Sequence, residues 1–204
     1  MEKIVLLGGG GHCISCIDII ESTGLYEIAG ILDKNEPVGS TVLGYPVLGN
    51  DDEIGRLHEQ GCSFLITVGQ IRSPKIRIIL YEMLKSLHAK IPVIVSPTAY
   101  VSKHAVLGEG TIVMHHAVVN ACAKTGVCNI INSMSLLEHE TITGDFCHIS
   151  TSAILNGQVN VGSRCFIGSN AVVNNNVSIH DDVIVASSMK VHKNIERRGL
   201  FIKI

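Results

Sequence analysis

The stretch "TIVMHHAVVNACAKTGVCNIINSMSLLEHETITGDFCHIS", Thr111–Ser150, repeats itself every six residues. Counting in sixes from Val101 to Val191 gives sixteen positions in one unbroken frame. Fourteen of them are Val, Leu or Ile, and the other two are Thr125 and Thr143. Four places after each of these the residue is mostly small, as at Ala105, Thr111, Ala117, Ala123, Ser135, Cys147, Ala153, Cys165 and Ala171. The place immediately after is repeatedly Gly, Asn or Ser. A period of six matches neither a helix nor a hairpin protein, and is the mark of a parallel β-helix built from hexapeptide repeats. Each hexad supplies a short strand whose large and small residues fill the coil, and the Gly and Asn positions are expected at corners needing positive φ.

Three hexads make one coil, so residues 18 apart stack. Ala121, His139 and Gly157 then share a column. His139 projects beside a level that carries no side chain, which leaves a slot next to an imidazole. Glu140 is the neighbour that would fix the ring's tautomer and stabilise its protonated form, as a general base requires. The alternative is that His139 is one more outward polar residue of a solenoid, like His104, His115, His116 and His180. Cys147 and Cys165 also stack, at the inward small position, and read as core.

The first hundred residues follow a different pattern. "KIVLL", "EIAGILD", "CSFLITVG" and "IPVIV" read as strands, and "CIDIIEST" and "SPKIRIILYEMLKSLHA" as helices. The alternation predicts a small α/β, Rossmann-like unit with a parallel sheet, residues 1–95, followed by the β-helix, residues 96–204. Gly8–Gly11 close the first strand and open the first helix, where free N–H groups and the helix dipole favour a phosphate. Cys13 occupies the third glycine position of the dinucleotide fingerprint, so a nucleotide or nucleotide sugar is expected rather than NAD. Asp33 ends the second strand, where such folds set an acid against a ribose or sugar. A plain tight turn and a strand-capping Asp33 stand as the other reading.

Composition narrows the partners. The 204 residues are 46% apolar with a formal net charge of −2, so there is no broad positive field for nucleic acid or an anionic membrane. No segment is long enough for a secretory leader or a membrane span, so a cytoplasmic protein is expected. Seven scattered cysteines do not form a secreted disulfide framework and are expected as thiols. Cys13 and Cys16 form a single CxxC beside His12; with no second pair, a metal or redox reading has little support.

Taken together, "LLGGGGH", "LD" at Asp33, "ITVG" ending at Gly69 and "INSMSLLEHETITGDFCHIS" resemble the left-handed β-helix acetyltransferases that modify bacterial surface sugars. The likeness is to the family of UDP-4-amino-sugar N-acetyltransferases of bacillosamine synthesis and sialic acid O-acetyltransferases. It implies a left-handed coil, acetyl-CoA as co-substrate, no metal, and a homotrimer with acetyl-CoA between adjacent coils. It also implies His139 as general base with Glu140 orienting it, and Gly10, Gly11, His12, Asp33, Lys34, Asn35 and Gly69 around the nucleotide sugar. Asn132 would lie near the acceptor group, with His148, Gly157 and Ser169 toward acetyl-CoA. The resemblance implies acetylation of an amine on a nucleotide-linked deoxy sugar, with O-acetylation of a sialic acid as the alternative. A metal-dependent β-helix enzyme using His115, His116 and His139, and a binding scaffold without activity, are the remaining readings. The chain departs from the family at its end, "ERRGLFIKI", which lacks the usual Gly-x-Pro-Ala-Lys tail. Arg197 and Arg198 are the residues there that could meet CoA phosphates.

Overall fold

The computed structural model describes residues 1–201; residues 202–204, the last three of the expected coil domain, lie outside the described residues. Two compact units form, one of Met1–Gly69 with Lys75–Ile94, the other of Gln70–Pro74 with Val95 onward.

In the first unit the apolar run Ile4–Leu7 is fully buried within β1, Glu2–Leu7. Helix α1, Gly11–Thr23, turns Cys13, Cys16, Ile17, Ile19 and Ile20 inward and stops at Gly24, whose φ of 63° is the left-handed conformation glycine adopts at no steric cost. Strands β2, Tyr26–Leu32, β3, Thr41–Val42, and β4, Tyr45–Gly49, come next. Helix α2, Ile54–Glu59, then leads to β5, Ser63–Ile66, and helix α3, Lys75–Ser86, closes the unit. The sheet order is β3-β4-β2-β1-β5. Its pairs are parallel apart from the β3–β4 hairpin, an antiparallel edge that the sequence reading does not contain. Of the run "IPVIV" only Ile94–Val95 is a strand, and it lies at the end of the coil's seven-stranded sheet, not in the N-terminal one.

The second unit is a three-sided parallel β-helix of mostly two-residue strands. Leu136–Leu137 pairs with Val118–Val119 on one side and Ile154–Leu155 on the other, a register of 18 residues that the other two faces repeat. Every frame residue from Val113 to Val191 is buried; Val101 and Leu107, at the coil's beginning, are half-buried. The small positions from Thr111 to Val183 are buried too, with Asn129 among them. Its amide donates to the carbonyls of Gly126 and Gly144 and its oxygen accepts from Thr143 Oγ1, so this polar core residue is satisfied.

The corners are built differently from the expectation. The left-handed residues are not the Gly and Asn that follow the frame but those two places later: Cys122, Cys128, Met134, Glu140, Phe146, Ser152, Gln158, Arg164 and Asn170, with φ of 53–62°. Such a conformation costs a side-chain-bearing residue about 1–2 kcal/mol. It is offset because it aims the residue's N–H at the preceding coil: Glu140 N–H donates to Ala121 O (3.0 Å) and Gln158 N–H to His139 O (3.0 Å). The glycines serve close approach. A Cβ on Gly126, Gly144 or Gly162 would collide with the backbone of the next coil, although none of the three has positive φ.

Candidate active site

The first unit holds a cavity of about 420 Å³, lined by all seven residues expected around a nucleotide sugar: Gly10, Gly11, His12, Asp33, Lys34, Asn35 and Gly69. Its floor follows from the glycine loop. Gly8 has φ of 110°, and a Cβ there would stand 2.6 Å from Val68 Cγ2, so only glycine lets the loop cross the end of β5. Thr67 Oγ1 donates to Gly8 O (2.7 Å). Gly10 then caps α1 without a side-chain hydrogen bond, and the first turn carries no acidic residue, which leaves the helix N–H groups for an anion. Cys13, in the third glycine position, is fully buried, and burial pushes its thiol up to about 11. It packs as a small apolar group.

Asp33 ties this floor together. Its Oδ2 accepts from Gly9 N–H (2.6 Å), and its Oδ1 from the N–H groups of Asn35 (2.7 Å) and Glu36 (3.3 Å). Burial raises the carboxyl's pKa, but the three N–H donors outweigh it and hold the group below its ordinary value. Lys34 pairs with Asp51 at 2.8 Å, and both residues line the cavity. Ile76, Ile79 and Leu80 of α3 supply an apolar wall. Buried Arg77 donates from one guanidinium nitrogen to the carbonyls of Ile66 (2.9 Å) and Val68 (2.7 Å), fixing the segment that leads to Gly69. A basic residue in an amphipathic helix gave no sign of this role in the sequence.

On the coil, His139, Gly157 and Asn175 occupy successive levels of the corner that follows the Leu136–Leu137 face. His139 Nδ1 lies 3.1 Å from Glu140 Oε2, so this nitrogen carries the proton and donates. The opposite nitrogen leans over Gly157, where a Cβ would come within 2.5 Å of Nε2. Glu140 is itself held, since Gln158 Nε2 donates to the same Oε2 (3.2 Å). Glu138 Oε2 accepts from Asn120 Nδ2 (3.0 Å) and from His139 N–H (3.3 Å). Gln158 escaped the sequence reading because its partner depends on a left-handed corner, which residue identity does not announce.

Asn132, His148 and Ser169 belong to the neighbouring face and corner. His148 is 8% exposed, and both ring nitrogens are engaged: Nδ1 donates to Gln70 O (2.5 Å), and Nε2 accepts from Asn132 Nδ2 (2.9 Å). The tautomer is thereby set, with Nδ1 as donor and Nε2 as acceptor. Ser169 Oγ shares a hydrogen bond of 2.9 Å with Ser150. Thus one chain brings His139, Glu140 and Gly157 together, but sets Asn132, His148 and Ser169 at a different corner. Among the described residues no three His, Cys, Asp or Glu side chains converge as metal ligands, and His115 Nδ1 is bonded to Ser96 (2.7 Å). All seven cysteines are thiols.

Comparison with known proteins agrees with both units. The family model described as the PglD N-terminal domain matches residues 3–84. An uncharacterised protein of Acanthamoeba polyphaga mimivirus is 32% identical over 132 residues, 63% of this chain; the chain matches 24% of that relative's length. PerB from Caulobacter crescentus, solved with CoA and GDP-perosamine, is 31% identical, with a TM-score of 0.90 over 98% of this chain and 93% of that one. The acetyltransferase domain of PglB from Neisseria gonorrhoeae is 27% identical, with a TM-score of 0.92 over 98% of this chain and 96% of that one. The same domain in complex with acetyl coenzyme A gives 28% identity and a TM-score of 0.86 over 93% and 92%. With a PglD-type N-terminal domain running into a left-handed parallel β-helix, the chain belongs to the hexapeptide-repeat sugar acetyltransferases.

Proposed function

We propose that the protein transfers the acetyl group of acetyl-CoA to the amine of a nucleotide-linked amino-deoxy sugar, for bacterial surface glycan synthesis in the cytoplasm. The observation that carries this reading is the His139–Glu140 pair. An imidazole with its Nδ1 proton held by a carboxylate has its Nε2 lone pair free over an empty level of the coil, as a general base needs. The N-terminal cavity supports the choice of acceptor. It offers a helix N-terminus for phosphates, Lys34 and Asn35 at its polar edge, and an apolar wall for a base.

In the reaction the amine nitrogen attacks the thioester carbonyl carbon, and His139 Nε2 takes the amine's proton. The C–S bond then breaks and the proton passes to the leaving thiolate. Acetyl-CoA is a co-substrate here, and the coil residues supply the base and its orientation with no covalent intermediate.

A homotrimer is part of the proposal. The outward residues of the face between the two corners, Tyr100, Val118, Leu136, Ile154 and Val172, form an apolar stripe. Packing this stripe on a neighbouring copy would bring the His139 corner of one chain toward the Asn132 corner of the next, joining groups that a single chain keeps apart. No helix among the described residues is long and apolar enough to cross a membrane. The test is free CoA release from acetyl-CoA with three acceptor classes: nucleotide-linked 4-amino sugars, nucleotide sugars with the amine elsewhere, and free sialic acids. Turnover with a nucleotide-linked amine is expected, and turnover with sialic acid alone would transfer the same base to a hydroxyl and refute the amine assignment.

A further inference from the structure

We propose that Asn175 is a catalytic residue, whose side-chain amide donates to the thioester oxygen as negative charge gathers on it. The inference rests on the acetyl-transfer reading and adds to it a group that the sequence did not single out.

Asn175 stands 18 residues beyond Gly157 and 36 beyond His139, on the same corner. A Cβ on Gly157 would lie 2.5 Å from His139 Nε2 and 3.2 Å from Asn175 Nδ2. The base and the amide, from levels on either side, therefore lean over the same glycine. Two other asparagines of this corner are committed: Asn120 Nδ2 donates to Glu138, and Asn156 Nδ2 to Val173 O (2.9 Å). The Asn175 amide makes no such hydrogen bond among the described residues, and its side chain is exposed.

The charge at the corner gives this amide a task. Glu138 and Glu140 flank His139, and two carboxylates oppose the build-up of negative charge on a neighbouring oxygen. An N–H donor aimed at the same slot counters them where the oxyanion forms. The atoms balance without further reactants. The N–C bond forms, the amine proton moves to His139, the oxygen charge rests against Asn175 Nδ2 until the carbonyl re-forms, and the thiolate leaves and is protonated.

The experiment compares wild type, Asn175→Ala and Asn175→Asp in the CoA-release assay, with acetyl-CoA affinity from calorimetry and melting temperature for each. Asn175→Ala should lower kcat by about 10²–10³, the range for loss of one oxyanion donor, with acetyl-CoA affinity and melting unchanged. Asn175→Asp, equal in shape but carrying a charge that repels the oxyanion, should be slower still than the alanine variant. A structural role would give the opposite order. The proposal is overturned by wild-type kcat in Asn175→Ala, by a loss confined to acetyl-CoA affinity, or by an aspartate variant faster than the alanine one. A wild-type protein that acetylates no acceptor in the panel sinks the acetyl-transfer reading itself, and this inference with it.

Discussion

Gly157 is the residue on which the geometry of the coil corner depends. It has no positive φ, so Gly157→Ala should leave the fold intact, while its methyl group would stand against the His139 ring. We expect kcat to fall with little change in melting temperature, measured by turnover and calorimetric scans of the same preparation. Gln158→Ala should do less, because Glu140 keeps its bond to His139 and loses only its own tether. His139, Glu140 and Gly157 were legible in the sequence because 18-residue arithmetic alone puts them in one place. The same spacing stacks Gln158 on Glu140 and Asn175 on Gly157, but it does not say where the corner aims their side chains, so neither stood out. The partners of the His148 ring were not legible for a related reason: its Nδ1 bonds a backbone carbonyl 78 positions away, which no local pattern reveals.

At the scale of elements, the corners and the glycine loop are where the chain takes up left-handed conformations and close backbone approaches. Gly126→Ala should destabilise the coil by about 1–3 kcal/mol, as overpacking does, because its methyl group would meet the backbone around Gly144 and Asp145. Chemical denaturation of the variant against wild type checks this. In the N-terminal unit, Asp33 has a folded-state pKa below its unfolded value. Its stabilising contribution is therefore complete above the unfolded value, about 4, and disappears as pH falls through the folded value. Melting temperature should consequently fall more between pH 5 and 3 in wild type than in Asp33→Asn. The β3–β4 hairpin was missed because its turn hides its signal. Leu43 and Gly44 both have positive φ, 47° and 86°, as a type I′ turn requires, yet Leu stands where Asn or Asp would advertise it. Ile94–Val95 joins the coil's sheet and not the N-terminal one, a choice the sequence does not show because a short apolar run carries no record of its partner.

For the whole molecule, the hexad frame fixed the coil at once, since a period of six leaves few other architectures. It left open how many chains complete the site. The apolar stripe through Leu136 and Ile154 predicts that Leu136→Asp converts the proposed trimer into monomers at micromolar concentration by light scattering, with the circular dichroism of the coil retained. The central claim is that His139 is the base, and the most direct measurement is kcat of His139→Ala against His116→Ala, a histidine of another corner assigned no role. The account predicts a fall of about 10²–10⁴ for His139→Ala, with acetyl-CoA affinity and melting temperature near wild type, and normal turnover for His116→Ala. Near-normal turnover of His139→Ala would contradict it.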